Sequence, residues 1–257
     1  GCKKEINDYM LVVTENLQLA DRVFWMTFKS PELANAARAG NCVMVYPERG
    51  TDPLLGRPFA VADTDKERGE FSICYMILGR GTDMLKEVKP GEVLRVRAFI
   101  GKPYPDSAKE LIVAGGGAGA AAMMLKKKQR EGKCELYIGL PGKGYEAFAK
   151  KVLSIHPDAK IFTDDGSFGE GDSMFKALPR ALGEGQQVWC SGPPGFIEAM
   201  NNFYKDFPQN LYLILDKRMA CGYGGCMGCV IETTSGPLRL CADRSIFRAD
   251  EVNIYDN

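Results

Sequence analysis

The run MACGYGGCMGCVIETTSGPLRLC, residues 219–241, carries more chemical information than any other part of the chain. It places Cys221, Cys226, Cys229 and Cys241 in the pattern C-x4-C-x2-C-x11-C. This is the plant-type spacing of cysteines that ligate a [2Fe–2S] cluster, a centre that moves single electrons. Four glycines between the first and third cysteine permit positive φ and let backbone N–H groups point at the sulfurs. We therefore expect these cysteines to bind a two-iron cluster.

Two other interpretations of the cysteines stay open. A structural zinc site also uses four thiolates, although zinc ribbons more often pair two C-x2-C knuckles. Disulfides are a third possibility, which suits a small secreted chain better than this one. The spacing and the glycines favour iron and sulfide.

Composition narrows the class of protein. The 257 residues are 45% hydrophobic, enough for two compact units and a small appendage. Lys+Arg and Asp+Glu both total 33, so charge gives no argument for binding nucleic acid or an anionic membrane. The chain has no apolar run long enough to span a bilayer, and GCKKEINDYM lacks the apolar centre of a signal peptide. We expect a cytoplasmic protein, because reducing conditions suit such a cysteine loop.

The pattern of apolar residues changes along the chain and predicts three parts. Residues 1–103 contain short strand-like runs separated by turn residues, which predicts an antiparallel β-barrel with one helix capped by Thr82. In residues 104–210, apolar strands alternate with helices, which predicts an α/β unit with a parallel sheet, where Pro179 ends its helix early. Residues 211–257 carry the cysteines and a hairpin expected to turn at Ser235–Gly236.

Three turns of the α/β part are candidates for binding a dinucleotide. The run VAGGGAG follows a strand and opens a helix, as a phosphate loop requires, although a tight turn without a ligand would look similar. The runs TDDGS and SGPP follow two further strands, and open α/β sheets bind ligands at this edge. The candidates are Gly115, Gly116, Gly117, Gly119, Asp164, Asp165, Gly166, Gly192 and Pro193. The second strand ends without the usual ribose-binding acid, so NAD is only weakly favoured over NADP.

The barrel part holds a second group of candidates. The run RPFA carries an arginine suited to a phosphate, GRGT opens a helix, and CYM could flank a ring. Together they suggest two ends of one pyrophosphate-bearing cofactor. These candidates are Arg57, Pro58, Phe59, Ala60, Cys74, Tyr75, Met76, Gly81 and Thr82.

The motifs RPFA, GRGT, GGGAG, TDDGS, SGPPGF and the four cysteines, in that order, resemble the ferredoxin–NADP reductase superfamily. Within it the chain is most similar to the iron–sulfur electron-transfer subunits of NAD-dependent dihydroorotate dehydrogenases, and the likeness covers essentially the whole sequence. The resemblance implies a ferredoxin-reductase-like fold with FAD on the barrel, NAD on the α/β domain and the cluster on the C-terminal segment. It also implies an FMN-containing partner subunit that oxidises dihydroorotate in pyrimidine biosynthesis, in a heterotetramer.

In such a relay NADH gives a hydride to the flavin, and single electrons pass through the cluster to or from the partner. The cofactors perform this chemistry, so we expect no catalytic acid or base from the protein. The lone histidine, His156, is expected at the surface or in a helix cap. Met219, Ala220, Tyr223 and Met227 are expected to form an exposed apolar face that docks the partner, or else merely to cover the cluster.

Three residues depart from the family pattern. Ala60 stands where the family usually has Ser or Thr near flavin N5, Ser191 replaces the cysteine of a C-G-P turn, and Ala122 stands where proline is common. These departures suggest a relative with another partner, such as a sulfide dehydrogenase or a ferredoxin-linked transhydrogenase. A zinc-stabilised nucleotide-binding regulator is a remote alternative outside redox chemistry.

Overall fold

The structure, a computed structural model, describes residues 6–47, 52–106, 109–130 and 132–255. Its first half is a closed antiparallel barrel with strand order β1-β2-β5-β4-β3-β6, which confirms the expected barrel. Inward-facing residues such as Phe28, Phe71 and Ile73 are fully buried and fill the barrel. The elements of this half are β1 Asn7–Ala20, β2 Val23–Lys29, α1 Pro31–Ala36, β3 Cys42–Tyr46, β4 Arg57–Asp65, β5 Glu70–Met76, α2 Arg80–Lys86 and β6 Val93–Ile100.

Helix α2 begins earlier than the sequence predicts. Its N-cap is Gly79, and Thr82 lies inside the first turn rather than at the cap. The Thr82 hydroxyl accepts hydrogen bonds from the backbone N–H groups of Leu78 and Gly79, at 2.9 and 3.2 Å. The Thr82 side chain therefore binds the backbone N–H groups just before the helix. Gly79, at the N-cap, has no side chain that could form a capping hydrogen bond.

The second half is the expected α/β unit. Its sheet has the order β14-β11-β10-β7-β8-β9, with β7 to β11 parallel and β14 antiparallel to β11. Helix α5 stops at Ala177, shortly before Pro179, as predicted. The elements are β7 Glu110–Gly116, α3 Ala121–Gln129, β8 Cys134–Leu140, α4 Glu146–Ile155, β9 Lys160–Thr163, α5 Met174–Ala177, β10 Gln186–Ser191, α6 Pro194–Phe203, β11 Leu211–Ile214 and β14 Ile246–Arg248.

The C-terminal segment is built into this sheet. Strand β11, within residues 211–257, pairs with β10, and β14 adds a further strand that the sequence pattern did not predict. Between them lies the hairpin of β12 Val230–Thr233 and β13 Gly236–Arg239, so its turn is at Thr234 and Ser235, one residue earlier than expected. The division at residues 103 and 210 stays a prediction.

Ion pairs join the barrel to the α/β unit. Lys128 of α3 contacts the Asp63 carboxylate of β4 at 2.7 Å, and Lys151 of α4 contacts Glu15 of β1 at 3.1 Å. The Gln129 side chain adds a hydrogen bond to the Ala37 carbonyl at 2.9 Å. These contacts fix the α/β unit beside β4, the strand that carries the RPFA motif.

Candidate functional site

The two phosphate-site motifs of the barrel meet in space. The Arg57 side chain lies directly on Gly81, where an added Cβ would stand 2.1 Å from Nε and 2.3 Å from Cζ of the guanidinium. Arg57 also donates a hydrogen bond to the Leu55 carbonyl. The guanidinium therefore occupies a cradle that only glycine leaves open, beside the first turn of α2. This arrangement suits a negatively charged phosphate group, such as those of a dinucleotide flavin.

The neighbouring candidates on β4 and β5 face two ways. Tyr75 is 2% exposed, and its ring stacks on Phe24 inside the barrel with centroids 5.5 Å apart. Its side chain is thus part of the core, and the expectation that the CYM run lies beside a ring stays a prediction. Cys74 and Met76 alternate with it and are half-buried on the other face of the strand. Arg57, Pro58, Phe59 and Ala60 are also half-buried, and the Phe59 ring lies 5.7 Å from that of Tyr75.

The glycine loop after β7 is closely packed. Gly117 has φ +54°, and the chain continues as a 3₁₀ turn, Gly117–Ala120, into α3. A Cβ at Gly115 would lie 2.3 Å from the Cβ of Ala120, and one at Gly119 would lie 2.6 Å from the Cα of Gly192. The loops after β7 and β10 therefore touch each other, and the nucleotide cleft expected at this edge of the sheet stays a prediction.

The aspartates after β9 organise a loop. The Asp165 carboxylate accepts hydrogen bonds from the backbone N–H groups of Lys143 and Ser167, each at 3.0 Å. Hydrogen bonds from Ser167 and Lys143 lower the pKa of Asp165 to about 2. The Asp164 N–H binds the Leu140 carbonyl at 2.9 Å. These bonds tie the loop after β9, which contains Gly166, to the loop after β8 at the carboxyl edge of the sheet. Pro193 follows β10 at the same edge, with β7 and β8 between that strand and β9.

The cysteine loop arranges its four thiols as two pairs. The sulfurs of Cys229 and Cys241 are buried and 3.3 Å apart. The Cys226 N–H points at the sulfur of Cys221 from 3.4 Å, and its thiol is also within hydrogen-bonding reach of that sulfur. Thiolates on one tetrahedral metal lie about 3.8 Å apart, for bonds of about 2.3 Å. Among the described residues, no group of three or more Cys, His, Asp or Glu is close enough to hold one metal ion.

The electrostatics of the two pairs differ. Burial acts to raise the pKa of Cys221, but backbone N–H groups of Tyr223, Cys226 and Gly225 lower it to about 6. Burial and the adjacent Cys229 thiol raise the pKa of Cys241 to about 12. Two thiols this close ionise together only beside a cation, and a coordinated metal deprotonates its thiol ligands. The donor set therefore fits a thiolate-bound cluster.

The backbone of this loop requires unusual conformations. Gly222 and Gly224 have φ of +75° and +85°, as the glycine content predicted, and Met227 has φ +59°. Gly228 keeps ordinary φ, with its N–H 3.5 Å from the Cys226 sulfur. The turns aim backbone donors at the sulfurs, which stabilises thiolates.

Three contacts fix the cysteine loop on the barrel. Arg97 of β6 donates to the Cys221 carbonyl at 3.1 Å, and the Gly101 N–H donates to the Cys241 carbonyl at 2.9 Å. A Cβ at Gly222 would lie 3.2 Å from the end of Met44 on β3. Met44 is the ladder partner of Pro58 on β4. The cysteines thus lie one strand away from the RPFA motif, which spacing alone did not reveal.

The residues expected to form the docking face do not all lie at the surface. Tyr223 and Met227 are 61% and 53% exposed, as a docking surface requires. Met219 instead packs against the buried cluster of Met44, Tyr46 and Ile100, so it covers the loop from behind.

His156 is in a helix cap but not at the surface. It occupies the C-cap of α4, is 5% exposed, and its Nε2 lies 3.0 Å from the Met124 carbonyl. Burial, then the charge of Lys127, lowers the pKa of His156. It has a structural role, away from the loops described above.

Comparison with known proteins agrees with this geometry. Residues 216–253 match the family model of the iron–sulfur cluster binding domain of dihydroorotate dehydrogenase B. The electron transfer subunit of dihydroorotate dehydrogenase B (NAD(+)) from Geobacillus kaustophilus (strain HTA426) is 27% identical over 253 residues, which cover 95% of this chain and 97% of that protein. The resemblance stated above is confirmed.

Solved structures give the fold. The NADH-dependent reduced ferredoxin–NADP oxidoreductase structure, reported in a study of flavin-based electron bifurcation, has a TM-score of 0.81 at 23% identity and covers 96% of this chain and 91% of its own. Phthalate dioxygenase reductase has a TM-score of 0.66 at 15% identity, with coverage of 93% and 95%. The expected ferredoxin-reductase-like fold is therefore confirmed. No helix among the described residues is long and apolar enough to cross a membrane.

Proposed function

We propose that this chain is the electron-transfer subunit of an NAD-dependent oxidoreductase complex, which carries electrons between NAD(H), FAD, a [2Fe–2S] cluster and a catalytic partner subunit. The observation that carries the proposal is the position of the cysteine loop. Gly222 of that loop rests on Met44, whose ladder partner Pro58 belongs to the RPFA motif. Electrons pass between a one-electron centre and a flavin only when the two lie close together.

Each cofactor has a set of residues in this proposal. FAD would be held by Arg57 at its phosphates, by the turn of Gly81 and Thr82, and along β4 and the end of β5. NAD(H) would enter along the loops after β7, β9 and β10. The proposed cluster ligands are Cys221, Cys226, Cys229 and Cys241.

When bound, the flavin exchanges electron pairs with NAD(H) and single electrons with the cluster. The protein binds and orients these groups. Arg57 neutralises phosphate charge, the small glycines let the nucleotide approach the backbone, and N–H groups of the cysteine loop hold the sulfurs as thiolates. The barrel and the sheet keep the sites at fixed separations through the Lys128–Asp63 and Lys151–Glu15 ion pairs.

The partner in this proposal is an FMN-containing subunit that oxidises dihydroorotate, with two copies of each subunit in the complex. The similarity to dihydroorotate dehydrogenase subunits over nearly the whole chain supports it. The exposed Tyr223 and Met227 beside the cysteines supply a face through which electrons can leave. A second candidate, the corresponding subunit of a sulfide dehydrogenase or ferredoxin-linked transhydrogenase, is favoured by the missing hydroxyl at Ala60 and by Ser191.

The cofactor content is tested on protein isolated anaerobically and reconstituted with iron and sulfide. We expect flavin in the supernatant after boiling, two irons and two sulfides per chain, and a paramagnetic signal after reduction by dithionite. Colourless protein that holds one zinc ion would refute the redox function and support the regulator.

The partner is tested by co-purification from the native cell, with identification of the bound subunit by mass spectrometry. For the dihydroorotate complex we expect an FMN subunit in equal amount, and NADH formation when dihydroorotate and NAD+ are added. A bound subunit of another type, with no response to dihydroorotate, would overturn that assignment and leave the electron-transfer function in place.

A further inference from the structure

A charged pair lies behind the cysteine loop. Arg239, at the end of β13, binds Asp243 through two parallel hydrogen bonds, Nε to Oδ2 at 2.8 Å and Nη2 to Oδ1 at 3.0 Å. The Arg239 backbone N–H also donates to Oδ2 at 2.8 Å. Such a bidentate pair fixes the plane of the guanidinium. The direction of its remaining nitrogen is therefore determined.

That remaining nitrogen reaches the cysteine loop. Arg239 Nη1 donates to the Gly224 carbonyl at 2.8 Å. Gly224 has φ +85°, and its carbonyl belongs to the same peptide group as the Gly225 N–H, one of the backbone donors that lower the pKa of Cys221. A Cβ at Gly224 would lie 2.9 Å from that of Ala242 and 3.0 Å from Arg239 Nη1, so the loop and the arginine fit closely. Arg239 thus holds the peptide that supplies a donor to a proposed cluster ligand.

The charge of Arg239 also acts on the cysteines directly. The guanidinium is close enough to the sulfurs of Cys241 and Cys229 to interact with them electrostatically. These two cysteines are the buried pair, with Cys229 2% and Cys241 3% exposed, where solvent screens charge least. The Asp243 carboxylate, in contact with the guanidinium, opposes this charge, and Lys102 acts on Asp243 from outside the pair.

From this geometry we propose that Arg239 and Asp243 set the reduction potential of the cluster and that Arg239 positions the Gly224 peptide against it; this inference rests on the proposed function. Reduction adds one electron and therefore one negative charge to the cluster. A nearby cation stabilises that state and raises the potential, whereas a nearby carboxylate lowers it. Arg239 and Asp243 act in opposite senses and are positioning residues, because neither is a proposed ligand.

The test is a redox titration of the reconstituted holoprotein, followed by electron paramagnetic resonance, for wild type and two variants. We expect Arg239→Gln to lower the midpoint potential and Asp243→Asn to raise it. Lys176→Gln is the matched control, because Lys176 of α5 forms a similar i,i+4 pair, at 2.8 and 2.9 Å, with Asp172, which precedes the helix. The control should leave the potential unchanged.

Arg239→Lys separates charge from position. Lysine keeps the positive charge but lacks the fork that binds Asp243 and Gly224 together. We expect a potential closer to wild type than that of Arg239→Gln, with faster bleaching of the cluster by a chelator. This variant, with Asp243→Asn, keeps the test usable if Arg239→Gln fails to fold.

Unchanged potentials in Arg239→Gln and Asp243→Asn, or shifts of both in the same direction, would overturn the inference. Wild-type protein that takes up no iron after reconstitution would instead refute the proposed function. The two failures are distinguishable, because only the first occurs in protein that shows the cluster signal.

Discussion

Replacement of Gly81 by alanine should displace Arg57 and weaken FAD binding without unfolding the protein. The new Cβ would stand 2.1 Å from Nε, 2.3 Å from Cζ and 2.6 Å from Nη2 of Arg57. These atoms form the far end of a flexible side chain, so the arginine can move aside, whereas a clash with backbone could not be relieved this way. The protein should therefore stay folded, because only the Arg57 side chain has to move.

The expected loss of affinity follows from the phosphate contact. A hydrogen bond to a charged group contributes about 1.5–3 kcal/mol. Since 1.4 kcal/mol corresponds to a tenfold change, loss of one such contact should raise the Kd for FAD by about 10- to 150-fold. FAD-depleted protein is titrated with FAD, and the quenching of flavin fluorescence gives the Kd.

Gly79→Ala is the matched control. Gly79 lies two residues earlier in the same turn, its φ of 178° suits any residue, and a Cβ there would meet nothing within 4 Å. It should bind FAD as wild type does. Wild-type affinity in Gly81→Ala, or an equal loss in both variants, would show that Arg57 does not bind the FAD phosphates.

Three further predictions concern the docking face, the nucleotide cleft and the buried histidine. Met227→Lys should weaken association with the partner subunit and leave the visible spectrum intact, whereas Leu153→Lys on α4 should change neither the association nor the spectrum; an unchanged association constant for Met227→Lys, measured by calorimetry, would remove the docking role. Gly119→Ala should abolish NADH-dependent flavin reduction while dithionite still reduces the flavin, because its Cβ would meet the Gly192 backbone at 2.6 Å, where no side chain can yield; normal hydride transfer would contradict the cleft. The lowered pKa of His156 means that the unfolded chain binds its proton more readily, so stability should fall as the pH drops below about 6.5. His156→Gln should flatten the pH dependence of the Tm between pH 7.5 and 5.5. An unaltered slope would show that other groups cause this pH dependence.

Local pattern was sufficient to predict the barrel and the alternating α/β elements. The barrel strands are short apolar runs separated by turn residues, with clear alternation in β6, and the strands of the sheet are short apolar runs separated by helices. Each therefore carries its own signal. Tyr75 shows the limit of this reasoning. The CYM run indicated residues beside a ring, but the phase of the alternation decides which of them face inward, and Tyr75 is in phase with the buried Ile73.

Strand β14 was missed for a related reason. It has three residues, Ile246–Arg248, and gains its hydrogen bonds from β11, more than thirty positions earlier in the chain. A strand this short has too little periodicity to be recognised, and only its pairing partner makes it a strand. Its effect is large, because it returns the chain to the sheet after the cysteine loop.

Part of the candidate site could likewise be predicted from local sequence, and part of it could not. The proposed ligand set rests on spacing, since the residues of a metal-binding loop are close in sequence. Arg97 and Gly101, which hold the loop on β6 and at its end, are separated from it by more than a hundred residues and have no motif of their own. Spacing can therefore predict what a loop binds, while the surface on which the loop rests must come from the fold.

The contacts of the cysteine loop explain how its distance from the RPFA strand can stay fixed while its sequence changes. The cysteine loop is held from the barrel by Arg97 and Gly101 and from the sheet by β11 and β14, which flank it in sequence. Two independent anchors fix its distance from the RPFA strand more firmly than a flexible tether could, because small displacements at either anchor are opposed by the other. The immediate surroundings of the cysteines can then vary, as Arg239 and Asp243 illustrate, while the separation from the RPFA strand stays constant. Different residues thus control the reduction potential of the proposed cluster and the distance of the loop from the RPFA strand. Substitutions in the β12–β13 hairpin should alter the potential and leave the distance unchanged.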